Sequence, residues 1–313
     1  MKDRSKLITE QRNPNTFDID CKSTIEIVDI INTEDSNVIN AVHNERLNIA
    51  KAVDYIVDSF KKEGRLFYVG AGTSGRLGVL DASECPPTFG TDPEMVKGII
   101  AGGLDALTRS IEGAEDRHVD GERAIIDNSI TDKDTVVGIA TGGTTPFVHG
   151  ALVQANRIGA ATIFLCCNPD IYPAADVNVT IRPVTGPEVI TGSTRMKAGT
   201  ATKLILNMLT TASMIKMGKV YENLMVDLHA KNVKLIDRAE RIIMTITGLD
   251  RDAADKLLKK AKGNVKSAIV MYKLHTDYEE ARKKLNEYEG FVRKVLNNDN
   301  PSDSHYAGRN GME

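Results

Sequence analysis

The sequence predicts an α/β fold, a parallel five-stranded sheet flanked by helices with a small helical domain after it, and three observations carry that expectation. Between residues 66 and 184 short runs that are apolar at nearly every position recur along the 313-residue chain, as strands read when helices cover both their faces. Segments with helical apolar spacing alternate with these runs, the order that builds a parallel sheet. Beyond about Lys231 glycine thins out and Lys/Glu-rich helical segments replace the strand candidates.

The elements follow in order. Val38, Val42, Ile49, Val53, Ile56 and Phe60 recur near the helical period and predict one long amphipathic helix stopped at Gly64. Strands are expected at Leu66 to Val69, Val96 to Ile100, Thr135 to Ala140 and Ala161 to Cys167, with a fifth, Val177 to Val184, nearer an edge. Pro146 opens a helix that runs to Ile158. Thr200 to Met217 reads as another, with Leu204, Ile205, Met208, Leu209, Ala212 and Ile215 on its apolar face, its methionines as core filler and Gly218 as its stop. The domains expected are an N-terminal arm over 1–34, the α/β domain over 35–230, the helical domain over 231–298 and a polar tail over 299–313.

A hydrophobic fraction of 41%, 27% charged residues and a net charge of −3 suit a water-soluble protein and argue against nucleic acid or anionic membranes as partners. MKDRSKLITEQRNP carries cations without the apolar core of a signal peptide, and no apolar run reaches bilayer length, so a cytoplasmic location is expected. Cys21, Cys85, Cys166 and Cys167 lack C-x-x-C spacing and read as buried reduced thiols; the six histidines never fall at i, i+4, so no metal site is expected.

Three hydroxyl-rich glycine loops carry the chemistry. The first strand runs into Gly70-Ala71-Gly72-Thr73-Ser74-Gly75-Arg76 and then a helix. Free N–H groups and the positive end of the helix dipole converge at such a junction, which makes Gly72, Thr73, Ser74 and Gly75 candidate phosphate ligands. The spacing also fits a dinucleotide fingerprint, but that pattern wants an acidic residue at the end of the second strand, where this chain has Ala101-Gly102-Gly103. After the third strand, Thr141-Gly142-Gly143-Thr144-Thr145-Pro146 repeats the arrangement and offers Gly143, Thr144 and Thr145. A third stretch, Thr191 to Lys197, adds Ser193 and Lys197. Any one of these is an ordinary turn and helix cap taken alone; three at the carboxyl edge of one sheet imply a sugar phosphate.

Around these loops stand Leu80-Asp81-Ala82-Ser83-Glu84-Cys85-Pro86-Pro87-Thr88, Glu112-Gly113-Ala114-Glu115-Asp116 and Gly186-Pro187-Glu188-Val189-Ile190-Thr191-Gly192-Ser193-Thr194-Arg195. With Glu10-Gln11-Arg12-Asn13-Pro14 and Asn223-Leu224-Met225-Val226-Asp227 they make essentially the whole chain resemble the N-acetylmuramic acid 6-phosphate etherases. The resemblance implies a sugar isomerase (SIS) domain with a ubiquitin-associated-like helical appendage, a homodimer, no metal or organic cofactor, and cleavage of the lactyl ether to N-acetylglucosamine 6-phosphate and D-lactate. It also implies Glu84 as proton donor and Glu115 as the second acid/base group. Family members usually carry Ser-Gly-Arg-Thr-Pro in the second loop; Gly142 and Thr144 replace the serine and arginine here, leaving backbone N–H groups with Thr144 or Thr145 to serve.

Two carboxyls suit the reaction, since the ether oxygen needs an acid and carbon 2 a base. Pro86 and Pro87 predict that the helix ends beside Glu84, where negative charge is disfavoured, while Glu115 lies near a new helix start, where it is favoured. An aldose–ketose isomerase would need only the base, and a non-catalytic sugar-phosphate sensor neither.

Overall fold

In the computed structural model, which describes residues 4–228 and 233–299, five strands form one parallel sheet. They are β1 (Leu66–Gly70), β2 (Val96–Ile100), β3 (Thr135–Ile139), β4 (Ala161–Leu165) and β5 (Val179–Ile181), in the order β2-β1-β3-β4-β5. Every residue of β1 and β3 is buried, and β5 is an edge strand. Gly70 pairs with both Ile100 and Ile139, Ile139 with Leu165, and Leu165 with Ile181. All five carboxyl ends are therefore level at one edge, and every connecting loop that leaves there faces the same side.

The helix expected over Val38 to Phe60 is two helices, α1 (Thr24–Asn44) and α2 (Arg46–Lys61), joined at Glu45. Glu45 has φ −89° and ψ 4°, and its N–H turns back to Val42. The apolar spacing stays in phase through this turn, so periodicity cannot detect it. Ser23 and Glu26 close a reciprocal cap at the start of α1, so much of the stretch expected as an arm is helical.

Four more helices complete this layer: α3 (Gly72–Phe89), α4 (His118–Asp127), α5 (Pro146–Ile158) and α6 (Lys197–Lys216). A Cβ on Gly121 would lie 1.9 Å from the Phe147 carbonyl oxygen, and one on Gly150 2.0 Å from that of His118. Two glycines thus let α4 and α5 touch backbone to backbone. On α6 the buried stripe is Ala201, Ile205, Leu206, Leu209 and Met214 with Thr202, Thr210 and Ser213. Met208 and Ile215, expected inside, face outward because the hydroxyls of Thr202, Thr210 and Ser213 bond to carbonyls four residues back and pack as small residues. Cys21 is exposed, unlike the other three cysteines.

The described residues divide into two compact units, 4–84 with 92–213, and 85–91 with the chain from 214 on. The second holds a short hairpin, β6 (Val220–Tyr221) and β7 (Leu224–Met225), and helices α7 (Val233–Thr247), α8 (Arg251–Lys260), α9 (Val265–Leu274), α10 (Tyr278–Glu287) and α11 (Val292–Asp299). Asp250, Asn264 and Asp277 cap three of them, and α9 runs through a core that includes Ile243, Ala268, Ile269 and Val295. The boundary expected near residue 230 and the tail from residue 300 lie outside the described residues. Among the described residues no helix is long and apolar enough to cross a membrane.

Candidate active site

One residue, Ala71, separates β1 from α3. Two glycines allow so sharp a turn: a Cβ on Gly75 would lie 2.6 Å from Ile100 Cγ1, and one on Gly70 2.7 Å from the Gly75 nitrogen. Gly75 thus serves packing, and its N–H is engaged by the Ala71 carbonyl. Gly72, Thr73 and Ser74 head the helix, where amides have no intrahelical acceptor and the dipole attracts an anion. Gly72 is exposed with φ +53°, Thr73 half-buried and Ser74 buried.

Gly72 also lines a cavity of about 240 Å³ with Arg76, Arg109, Ser110, Glu112 and Glu115. Arg76 shapes it by donating Nε to the Leu107 carbonyl at 3.0 Å and Nη2 to that of Arg109 at 2.9 Å. Glu115 sits in a one-turn 3-10 helix, Ala114–Asp116, between the left-handed Gly113 and α4. The fold therefore brings the head of α3 and Glu115 to one cavity, and with them Arg76, Arg109 and Glu112, which sequence reasoning did not single out.

Glu84 is placed differently from the expectation. α3 continues through Pro86 and Pro87 to Phe89, so Glu84 is not at the helix end expected for it and no helix terminus disfavours its charge. The buried stripe of Ala82, Cys85 and Phe89 favours continuing the helix more strongly than two prolines disfavour it. Glu84 is exposed and absent from the lining around Glu115. It stands twelve residues beyond Gly72, about 18 Å of helix, which exceeds the span from phosphate to carbon 3 of a hexose phosphate. One turn earlier Asp81 is buried, which pushes its carboxyl up, although the Tyr68 hydroxyl donates to it at 3.0 Å.

The second loop leaves β3 and opens α5. Gly143 has φ +81°, and a Cβ there would meet Ile171 Cγ2 at 2.7 Å; at Gly142 a Cβ would meet nothing within 4 Å. Thr145 precedes Pro146 without capping the helix through its side chain. Gly143, Thr144 and Pro146 line a separate cavity of about 520 Å³ with His118, His149 and Asp170. Buried Asn168 holds this loop, its amide donating to the Gly142 carbonyl at 2.9 Å and to the Thr9 hydroxyl at 3.1 Å. His149 bonds Gly143 O at 2.9 Å through Nε2 and accepts the Ala174 N–H at Nδ1.

The third loop has its anion site filled from within. The Glu188 carboxylate accepts the N–H groups of Lys197 and Ala198, both at 2.9 Å, at the start of α6. Burial pushes the Glu188 carboxyl above its ordinary range despite those two bonds. Lys197, expected as a phosphate ligand, is 1% exposed and pairs with Glu34 at 2.5 Å. Burial alone would raise the Glu34 carboxyl, but bonds from Lys197, Asn15 and Asn13 hold it below the ordinary range. Its counter-ion sits 163 residues away, a distance no local pattern reveals. The start of α6 does approach the first loop, since a Cβ on Gly199 would lie 3.5 Å from the Thr194 carbonyl and 3.6 Å from Thr73 Cγ2.

Residues 48–156 match the family model of the glucokinase regulatory protein N-terminal SIS domain. Over 290 residues the chain is 55% identical to the N-acetylmuramic acid 6-phosphate etherase of Oceanobacillus iheyensis, covering 93% of this chain and 99% of that one. The chain belongs to the N-acetylmuramic acid 6-phosphate etherase family. Etherases of Salinibacter ruber, 54% identical over 94% of each chain, and of Bacillus cereus, 51% identical over 93% of this chain and 99% of that one, bear the same name. The etherase relatives extend through the helical unit as well as the sheet, since their matches cover more than nine tenths of this chain.

Proposed function

We propose that this chain is a lyase that cleaves the D-lactyl ether of N-acetylmuramic acid 6-phosphate, giving N-acetylglucosamine 6-phosphate and D-lactate. Identity of 55% across 99% of a named etherase carries the reading; the cavity that joins the head of α3 to a carboxylate supports it. The phosphate binds the amides of Gly72, Thr73 and Ser74, with Ser193 close by. Glu115 takes the proton from carbon 2, which an open-chain aldehyde at carbon 1 makes removable. The carbon 3–oxygen bond breaks, and a carboxylic acid protonates the departing lactate oxygen. Water then adds to carbon 3 of the enal, and a proton returns to carbon 2.

Glu84 is the acid in this scheme, and its separation from Gly72 along α3 supports its acting on substrate held by another copy. Two copies of the chain assemble so that Glu84 of one approaches the cavity of the other, which makes each site a composite. The phosphate loop and Glu115 thus come from one copy and the proton donor from its partner.

Incubation with N-acetylmuramic acid 6-phosphate in deuterated water tests the activity. Lactate and N-acetylglucosamine 6-phosphate labelled at carbon 2 are expected. Lactate without the label would exclude elimination, and an aldose–ketose interconversion without lactate would favour the isomerase reading.

A further inference from the structure

The geometry points to Arg109, with Ser110, as the subsite that binds the carboxylate of the lactyl group and so sets which sugar phosphates the site cleaves. This rests on the etherase reading above and deepens it. The substrate carries two anionic groups. Helix amides at the head of α3 suit the phosphate, and a carboxylate on the substituent at carbon 3 needs a second partner near the base that works at carbon 2.

Two cations line the cavity that holds Gly72 and Glu115. Arg76 is committed to structure, with Nε on the Leu107 carbonyl and Nη2 on the Arg109 carbonyl. The guanidinium of Arg109 is different: among the described residues it has no hydrogen bond or ion pair, although Glu112 and Glu115 line the same small space. Its backbone is nevertheless fixed, because its carbonyl accepts from Arg76 and its N–H donates to the Asp105 carbonyl at 3.1 Å. A cation anchored at the main chain and open at its fork is arranged to receive a planar carboxylate with two parallel bonds. The Ser110 hydroxyl, in the same lining, supplies a further donor.

A sugar phosphate without the lactyl group leaves this fork unpaired. That asymmetry separates the subsite from the phosphate site and gives the test. In wild type, lactate release from N-acetylmuramic acid 6-phosphate and solvent-deuterium exchange at carbon 2 of N-acetylglucosamine 6-phosphate are both measured. Arg109→Gln is expected to raise KM for lactate release about 10- to 100-fold, to leave the exchange within about twofold, and to keep the wild-type Tm; Arg109→Lys should recover part of the loss. Converting the substrate's carboxylate to a carboxamide should cost wild type a similar factor and cost Arg109→Gln little more. Equal losses in lactate release and in exchange would overturn the assignment by placing Arg109 on the phosphate. Unchanged lactate release in Arg109→Gln would overturn it as well. Failure of the etherase reading looks different, since wild type itself would then release no lactate.

Discussion

Two helix starts in this protein look alike in sequence and do opposite things. Gly72-Thr73-Ser74-Gly75-Arg76 opens α3, and Gly192-Ser193-Thr194-Arg195-Met196-Lys197 leads into α6. At α3 the first residue, Gly72, lines a cavity with Arg109 and Glu115. At α6 the leading amides are occupied by Glu188, and the adjacent cation is neutralised by Glu34. A glycine- and hydroxyl-rich start is open to an outside anion only when the chain supplies no anion of its own. Three-dimensional neighbours, not the loop, decide which.

The sharpest way to break the comparison is at the open start. Glu115→Gln should reduce lactate release by about 10²- to 10⁴-fold and abolish carbon 2 exchange, with Tm unchanged; full exchange in that variant would remove Glu115 from the base role. The filled start should respond in stability instead. Lys197→Met leaves the Glu34 carboxylate buried without a counter-ion, and denaturant unfolding should show a loss of about 3–5 kcal/mol, while KM of the surviving folded enzyme stays near wild type. A large rise in KM would make Lys197 a substrate ligand and erase the contrast.

Acid should weaken the filled start as well. Glu34 is held below its ordinary range by its hydrogen bonds, and buried Asp134 likewise by Arg65, 3.0 Å away, and by the amides of Arg65 and Thr131. Carboxyls depressed on folding contribute stability that is complete above their unfolded pKa, about 4, and lost as pH falls through their folded values. Tm should therefore fall steadily below about pH 4, less steeply in Lys197→Met, where the strongest bond on Glu34 is gone. Gly142→Ser is the mildest change. A Cβ there meets open space, so stability should move by no more than about 0.5 kcal/mol, and a larger loss would show that the second loop relies on glycine at that position.

The sheet was legible because β1, β3 and β4 are buried almost throughout and read as short apolar runs, and because the half-buried edge strand β2 keeps Val96, Ile99 and Ile100; each of the four is observed within two residues of its expected bounds. α5 was legible to the residue, since Pro146 and Gly159 mark its ends by backbone preference. Periodicity did not reveal the break at Glu45, where the apolar stripe stays in phase, nor the path of α3 through Pro86 and Pro87, where buried side chains outweigh a local bias. Of the cavity's lining, Gly72 was expected from the glycine loop and Glu115 from the resemblance to the etherases. Arg109 was not: among the 40 lysines and arginines of the chain it is singled out by lining the cavity of Gly72 and Glu115 with its fork unengaged, which only coordinates display. Lys197 misled for the complementary reason, because its partner lies far away in the chain.

The central claim is a composite site, with Glu84 acting on the substrate held by another copy's first loop and Glu115. Co-expression of Glu84→Gln and Glu115→Gln chains under two different tags, with mixed dimers isolated through both, tests it most directly. One of the two sites in each mixed dimer then retains both carboxyls, so lactate release should return to about half the wild-type rate per dimer, although each variant alone is inactive. Mixed dimers no more active than either variant would place both carboxyls within one chain and contradict the account.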